Sequence, residues 1–254
     1  AILHQRYTVS RQTRGECSAE EALSVCASEA LDSFLPCCDL LPHGTNGRIR
    51  TMNIALLGAT GNAGRRILNE LVSRGHAVTA ISRHPEHTPA ATGVTPVRGD
   101  VRDRTAMREL LSGHDAVVHA VLFLESDPQS LIAGVRSAGV KRLLVVGGAG
   151  SLITEDGSQV MDKGWLSDEL MPEVRAGGRL LQALREVADL EWTFLSPPFE
   201  FVPGERSGTY RTGQDELLAD ENGRSRITFE DYAVALVDEL EHPAHVRTRF
   251  TVAY

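Results

Sequence analysis

Apolar and polar positions follow two different rhythms along residues 52–254. Short apolar runs predict buried strands at 54–57, 77–81, 94–98, 116–120, 143–146, 191–195 and 249–254. Between several of these runs, apolar residues recur every three to four positions and predict helices, among them 128–138, 172–187 and 229–241. Strands that alternate with helices indicate an α/β fold, doubly wound around a mainly parallel sheet, in a single domain.

Two helix starts are marked by acidic residues that can cap free backbone amides. Asp103 precedes a predicted helix that carries Met107, Leu110 and Leu111, and Asp127 precedes Pro128 at the start of another. Other stretches are less regular. Residues 152–171 predict a loop or broken helix. Residues 211–213 and 226–228 predict a short hairpin with Asn222-Gly223 as its turn.

Residues 1–51 differ from the rest of the chain. They contain all four cysteines, and one apolar stripe there predicts a single helical piece. A redox or metal-binding extension is one interpretation, but the cysteine spacings match no common zinc pattern. We prefer the alternative that 1–51 is an N-terminal extension outside the folded domain, which then comprises 52–254. That domain contains no cysteine, and we expect no metal site in it.

Composition narrows the class of protein. Hydrophobic residues make up 42% of the chain, charged residues make up 24%, and the formal net charge is -8. An acidic chain without a basic run argues against a nucleic-acid partner, and no apolar stretch is long enough to span a membrane. We therefore expect a cytoplasmic protein that acts on a small molecule. The sequence carries no indication of its oligomeric state.

The first strand runs directly into three glycines, Gly58, Gly61 and Gly64, and then into a helical pattern. A strand, a glycine turn and a helix together aim free amides and the positive end of a helix at a phosphate. In that geometry Gly58 permits the tight turn, Gly61 the approach of a pyrophosphate, and Gly64 the packing of helix against strand. This context predicts a dinucleotide site, whereas glycines alone would also suit an ordinary turn.

The end of the second strand bears on cofactor choice. An acidic residue there typically binds the ribose hydroxyls of NAD, whereas arginine accommodates the 2′-phosphate of NADP. Here Ser82 and Arg83 follow the strand, and no carboxylate occurs before Glu86. The pattern favours NADP, although a solvated arginine on a loop is the simpler alternative.

Other candidate residues follow later strands. Asp100 could accept the adenine amino group or cap the following turn, and His119 could approach the nicotinamide ribose or be a packed histidine. Gly147, Gly148 and the hydroxyl of Ser151 follow the fifth strand. Neither lysine has a tyrosine four positions before it, so the usual pair for alcohol–ketone chemistry is missing. A flavin-like acceptor fits better, because its proton can come from water.

Several motifs together resemble a known family. They are Gly58-Ala-Thr-Gly-Asn-Ala-Gly64, Ser82-Arg83, 99–103 (GDVRD), 147–151 (GGAGS), 195–198 (LSPP) and 227–233 (ITFEDYA). They resemble the NAD(P)H-binding, NmrA-like branch of the atypical short-chain dehydrogenases, and in particular bacterial candidate NADH-flavin reductases and the biliverdin reductase B/flavin reductase group. The resemblance covers 52–254 and implies a Rossmann-type domain with a nicotinamide cofactor across the carboxyl ends of its strands.

The resemblance also implies roles for individual residues. The pyrophosphate would be bound by Gly58, Thr60, Gly61, Asn62 and Ala63, with Gly64 behind them. Ser82 and Arg83 would bind the 2′-phosphate, and Asp100 and Val101 the adenine. The nicotinamide half would lie against Ala120, Val121, Gly147 and Gly148. The segments after the fifth and sixth strands, with Ser151, Pro198 and Phe199, would form the substrate platform.

One departure from the family bears on the substrate. Relatives of the biliverdin reductase B type carry a histidine after the two prolines, where this chain has Phe199, which suits an aromatic wall for a flavin ring better than tetrapyrrole reduction. The resemblance thus implies an NADPH-dependent reductase of flavin or quinone-like acceptors. Two alternatives stay open: an NmrA-like redox sensor that binds NADP(H) without turnover, and, less favoured, an epimerase-like enzyme.

Overall fold

The computed structural model describes residues 50–254 of the chain. Residues 1–49 of the N-terminal extension, with its predicted helical piece and its four cysteines, lie outside the described residues. The first strand, β1 (Asn53–Leu57), is followed by helix α1 (Asn62–Ser73), as the glycine pattern predicts. Ile54 to Leu57 are fully buried, which explains why this strand is continuously apolar.

Eight strands form the main sheet, and neighbouring strands are parallel except at one edge. In chain order its strands are β1, β2 (Ala77–Ser82), β3 (Val94–Arg98), β4 (Ala116–His119), β5 (Arg142–Val146), β6 (Glu191–Ser196), β8 (Arg211–Gly213) and β10 (Thr248–Ala253). Their spatial order is β3-β2-β1-β4-β5-β6-β10-β8, with only β8 antiparallel to its neighbour. This sheet confirms the predicted fold class.

Helices cover both faces of this sheet. In chain order they are α1, α2 (Arg104–Leu111), α3 (Pro128–Ser137), α4 (Met171–Arg185) and α5 (Phe229–Glu241). One apolar cluster packs α1 and α5 on the sheet, with Leu68 and Tyr232 buried in it, and a second packs α2, α3 and α4, with Met107 and Leu181. None of the helices in residues 50–254 is long and apolar enough to cross a membrane.

The helix starts behave as the sequence predicts. The Asp103 side chain accepts hydrogen bonds from the amides of Thr105 and Ala106, and Asp127 accepts one from the amide of Ser130. These contacts satisfy amides that have no partner inside the helix. Both predicted caps are therefore confirmed.

Strand register brings the candidate residues to one edge of the sheet. Leu57 on β1 lies beside Ile81 on β2 and His119 on β4, and His119 in turn lies beside Val145 on β5. The residues that follow these strands therefore emerge at the same carboxyl edge. The strand order reverses between β1 and β4, and ligands of such sheets bind outside the carboxyl ends at that point.

The predicted hairpin is wrong. Strand β8 pairs with β10 in the main sheet, and β9 (Arg226–Thr228) pairs in parallel with β7 (Glu200–Val202), which the sequence did not predict. Asn222-Gly223 does form a turn, but the turn is local. The Asp220 carboxylate accepts hydrogen bonds from the backbone amides of Asn222 and Arg224. The chain reversal therefore ends within a few residues and does not pair the flanking strands.

Candidate functional site

Two of the three glycines after β1 are required by the fold itself. Gly58 has a φ of 85°, and a Cβ on it would lie 2.4 Å from the carbonyl oxygen of Ala120 on the neighbouring strand connection. A Cβ on Gly64 would lie 2.1 Å from the carbonyl oxygen of Gly58. Both positions meet backbone atoms, which cannot move aside as a flexible side chain could. These glycines close the turn and press α1 against the sheet.

Gly61 is different, because nothing in the protein requires a glycine there. Its φ of -70° suits any residue, and the nearest atom to an added Cβ would be the carbonyl oxygen of Gly58 at 3.5 Å. The residue is exposed and stands at the N-cap of α1, where no side chain caps the helix. The amides of Asn62 and Ala63 follow it in the first turn. The missing side chain leaves open a cradle of free amides at a positive helix end, which fits a diphosphate.

A small cavity of about 100 Å³ continues from this loop toward the ends of β2 and β3. Among its lining residues are Gly58, Thr60, Ser82, Arg83, Gly99, Asp100 and Val101. The Oγ of Ser82 is buried there and has no hydrogen-bond partner among the described residues. A hydroxyl in that state is suited to donate to a bound ligand. The structure thus brings together the residues predicted to bind the adenosine half of a cofactor.

Asp100 is engaged within its own turn. Its carboxylate accepts hydrogen bonds from the backbone amide of Arg102, at 3.0 Å, and from the guanidinium of Arg102, at 2.7 Å. The hydrogen bonds from Arg102 hold the pKa of the Asp100 carboxyl at about 2. This is the turn-capping role that we considered beside the adenine contact.

A carboxylate that the sequence analysis missed lies in the same cavity. Glu125, from the connection between β4 and α3, accepts a hydrogen bond from Arg83 at 3.1 Å, and Arg102 approaches it to 3.5 Å. Only the folded chain brings Glu125 beside Arg83. The cavity that holds the predicted phosphate-binding arginine therefore also holds an acid that competes for it.

The residues predicted for the nicotinamide half also lie at this edge, but packing alone explains one of them. A Cβ on Gly147 would lie 2.4 Å from the ring of Phe194 and 2.6 Å from the carbonyl oxygen of Leu195. Gly148 is more open, with the Phe123 ring 3.4 Å from where its Cβ would be. Ala120 and Val121 follow β4 and are half-buried beside the glycine turn.

Phe123 is a second residue that the sequence analysis missed. Its ring stacks on Phe194, with centroids 6.2 Å apart, and a Cβ on Gly177 of α4 would lie 2.7 Å from it. The Glu173 carboxylate accepts hydrogen bonds from the backbone amides of Phe123, at 2.6 Å, and Leu124, at 3.0 Å. Helix α4 thereby fixes the loop that follows β4. No local pattern indicates these contacts, because the residues are about 50 positions apart.

His119 is the packed, hydrogen-bonded histidine that we considered beside the ribose contact. It is fully buried, and its Nε2 lies 3.0 Å from the Oγ of Ser126. Burial lowers the pKa of the imidazole to about 4. His119 is therefore uncharged at neutral pH.

The residues predicted for the substrate platform lie in different places. Phe199 is 41% exposed and lines a cleft of about 660 Å³ between the connections that follow β5 and β6 and residues 217–225. Ser151 lines a smaller cavity of about 110 Å³ with Phe123 and Gly148, and its Oγ accepts a hydrogen bond from Arg249 at 3.3 Å. Pro198 is buried.

The tyrosine hydroxyls of the described residues are engaged in internal hydrogen bonds. Within residues 50–254, each tyrosine hydroxyl donates to an internal acceptor: Tyr210 to Asp238, Tyr232 to the carbonyl oxygen of Leu195, and Tyr254 to Asp231. Burial raises the pKa of Tyr232 further. The described residues also contain no cluster of side chains that could hold a metal ion.

Comparisons with known proteins agree with this geometry. A family model described as NAD(P)H-binding matches residues 58–243. The Bacillus subtilis protein YwnB, which is uncharacterized, is 40% identical over 212 residues, which cover 79% of this chain and 98% of YwnB.

Solved structures are similar over the same part of the chain. A candidate epimerase from Bacteroides thetaiotaomicron is 40% identical with a TM-score of 0.76, covering 81% of this chain and 98% of its own. A candidate NADH-flavin reductase from Streptococcus pneumoniae is 34% identical with a TM-score of 0.69, covering 80% and 99%.

Proposed function

The chain belongs to the NAD(P)H-binding family, and from this premise we propose that it is an NADPH-dependent oxidoreductase that transfers hydride to a flavin or quinone-like acceptor. The family match and the likeness to a candidate NADH-flavin reductase support an oxidoreductase. The preference for NADPH and the class of acceptor are our inferences from the site.

The observation that carries the proposal is the contrast among the three glycines. Gly58 and Gly64 are explained by packing, whereas Gly61 has room for a side chain and a backbone conformation that any residue adopts. A glycine that the fold does not require is explained by a ligand that comes close to the backbone. The uncapped start of α1 supplies the amides that such a ligand would bind.

Residues around this loop would hold the cofactor in two parts. The amides of Asn62 and Ala63 would bind the pyrophosphate, and the unpartnered Oγ of Ser82 would donate to the adenosine half. Arg83, which is about half exposed, is free to exchange Glu125 for a 2′-phosphate, because a phosphate carries more charge than one carboxylate. This exchange is our reason for favouring NADPH over NADH.

A bound reduced nicotinamide would supply a hydride at the carboxyl edge of β4 and β5. The protein would hold an acceptor there. His119 is uncharged and buried, and the tyrosine hydroxyls of residues 50–254 are engaged elsewhere, so these side chains do not protonate a substrate oxygen. An acceptor whose ring takes the hydride and whose proton comes from water suits this site better than a ketone.

The test uses Gly61→Asp. Aspartate is a favourable N-cap, so its carboxylate should bind the α1 amides, preserve the fold and exclude the pyrophosphate. We expect the wild-type protein to oxidise NADPH in the presence of riboflavin, followed by loss of nicotinamide absorbance, and the variant to fail. Circular dichroism and thermal melting check that the variant is folded. Equal turnover by both proteins would contradict the proposal.

Calorimetry, added to the turnover assay, distinguishes an enzyme from a sensor. The lack of a free proton-donating tyrosine in the described residues is the observation that favours an NmrA-like sensor. If calorimetry detects tight NADPH binding by the wild-type protein but no turnover with flavins or quinones, the sensor is favoured. Binding lost in Gly61→Asp would then still identify the site.

A further inference from the structure

The cleft beside Phe199 has features that the cofactor does not explain. Trp165 is 46% exposed and meets Phe199 edge to face, with centroids 5.9 Å apart and an interplanar angle of 88°. Exposed aromatic rings that converge in a concave site commonly contact ligands. Trp165 comes from the connection after β5 and Phe199 from the one after β6, so the cleft opens at the carboxyl edge of the sheet.

The walls of the cleft are held in place before any ligand binds. The amide of Leu217 donates to the carbonyl of Ile153, and the amide of Phe199 donates to the Oγ of Ser225. The turn at Asn222 is closed on Asp220. The cleft volume of about 660 Å³ lies within the usual range for small-molecule sites.

The charges around the cleft point to the kind of ligand. Both lining cations are engaged: Lys163 bonds to Asp156 at 2.6 Å, and Arg224 bonds to Glu200 at 2.9 Å. Glu155 adds a third lining carboxylate, so the charged residues of the cleft carry a net negative charge. The hydrogen bonds from these cations lower the pKa of Asp156 and Glu200, which keeps both carboxylates ionised. Such a surface repels a phosphate group. The Lys163 ammonium lies 5.5 Å from the centroid of the Trp165 ring, and both Trp165 and Phe199 keep more than 40% of their surface exposed.

We propose that this cleft binds the ring of a planar aromatic electron acceptor that carries no phosphate group, such as unphosphorylated riboflavin or a quinone, against Trp165 and Phe199. The proposal rests on the proposed oxidoreductase function, and it adds the place where the acceptor binds and the expectation that the acceptor carries no phosphate group. It distinguishes riboflavin from FMN, which share the same ring and differ by one phosphate.

Tryptophan fluorescence tests the proposal without NADPH. The chain has two tryptophans; Trp165 lines the cleft, whereas Trp192 is 2% exposed and donates to the carbonyl of Val187. A ring bound in the cleft should quench Trp165. We expect riboflavin to quench the wild-type protein at concentrations roughly fivefold lower than FMN. In Trp165→Phe, which keeps an aromatic wall, the remaining emission should not respond.

A charge variant tests the reason for the selectivity. Glu200→Gln should free Arg224 and raise FMN affinity to that of riboflavin. The matched control is Asp189→Asn, which frees Arg136 and makes the same change in net charge. Asp189 precedes β6 and so lies at the opposite edge of the sheet, and this variant should keep the preference for riboflavin. If FMN and riboflavin bind equally well to Asp189→Asn too, the selectivity does not depend on the pairing of Arg224 with Glu200, and that explanation is overturned.

Each outcome bears on one of the two proposals. FMN binding as tight as riboflavin in the wild-type protein, or no quenching in a protein that oxidises NADPH with riboflavin, overturns the assignment of the cleft. Quenching by riboflavin without NADPH oxidation supports the cleft and contradicts the oxidoreductase. Menadione, titrated in parallel, separates the two sources of the ring: tighter binding than riboflavin identifies quinones, and weaker binding identifies flavins.

Discussion

Gly64 on α1 lies so close to Gly58 that a Cβ on Gly64 would stand 2.1 Å from the carbonyl oxygen of Gly58. The contact joins the first turn of the helix to the end of β1, and both partners are backbone. It fixes where α1 begins and hence where its free amides point. The glycine loop is therefore held together by the fold before any ligand binds.

Gly64→Ala should destabilise the protein severely. Overpacking a close contact typically costs about 1–3 kcal/mol, and here the backbone cannot give way, so we expect a loss of about 3 kcal/mol or more. The better helix propensity of alanine offsets only about 1 kcal/mol of this. Urea unfolding of both proteins measures the change. A variant as stable as the wild type would show that the loop can widen.

Gly61→Ala should leave the stability of the fold nearly unchanged but weaken cofactor binding. The fold has room for the methyl group, so the free energy of unfolding should stay within about 1 kcal/mol of the wild type. The methyl group fills the cradle, however, and NADPH binding measured by calorimetry should weaken at least about tenfold. Unchanged affinity would mean that the pyrophosphate binds elsewhere.

Arg83→Ala should separate the two cofactors. Loss of a charge-assisted contact to phosphate costs about 1.5–3 kcal/mol, so NADPH affinity should fall by about one to two orders of magnitude while NADH affinity changes little. Arg98→Ala is the matched control, because Arg98 is also exposed but pairs with Glu86 outside the cavity. Equal losses for both cofactors would remove the argument for NADPH.

Glu125→Gln should tighten NADPH binding, because the carboxylate no longer competes with the phosphate for Arg83. We expect a gain of roughly three- to tenfold for NADPH and little change for NADH, measured by calorimetry at low salt. If NADH binding instead weakens in this variant, Glu125 binds the ribose hydroxyls and the site is adapted to NAD.

His119 should make stability depend on pH in a defined window. The buried imidazole has a pKa of about 4, whereas an unfolded histidine has one of about 6.5. As the pH falls below about 6.5 the unfolded chain binds a proton that the folded chain does not, so stability decreases until about pH 4 and is unaffected above that window.

The matched variant for this prediction is His119→Gln, which replaces the imidazole that contacts Ser126 with an amide that hydrogen-bonds but does not titrate. Between about pH 7 and pH 5 the wild-type protein should lose about 2 kcal/mol more unfolding free energy than the variant, measured by urea titration. Parallel loss in both proteins would assign the acid sensitivity to other groups.

Regular elements were predictable because their signals are local. Strand β3 and helix α5 have the bounds that the patterns predict, and Asp103 and Asp127 cap the helices that follow them. Each of these signals acts within a few residues of the chain. The family resemblance is also confirmed, since its glycine motif lies in one strand–turn–helix unit.

Partner choice over long distances was not predictable. Strands β8 and β9 have three residues each, too few for their sequence to specify a partner, and they pair with β10 and β7 instead of with each other. Glu125 meets Arg83, and Glu173 holds Phe123, across tens of residues. The individual cofactor and substrate roles assigned to residues stay predictions until a ligand is bound.

Two separate segments of the chain contribute different parts of the carboxyl edge of the sheet. The glycine loop and the cavity that contains Ser82 and Arg83 are built from residues 58–125, whereas the cleft that contains Trp165 and Phe199 is built from residues 154–225. If the glycine loop binds the nucleotide and the cleft binds the acceptor, the two preferences are encoded in separate stretches of the chain. A chimera that exchanges the second stretch with that of a homologue should inherit the homologue's acceptor while retaining this chain's nucleotide.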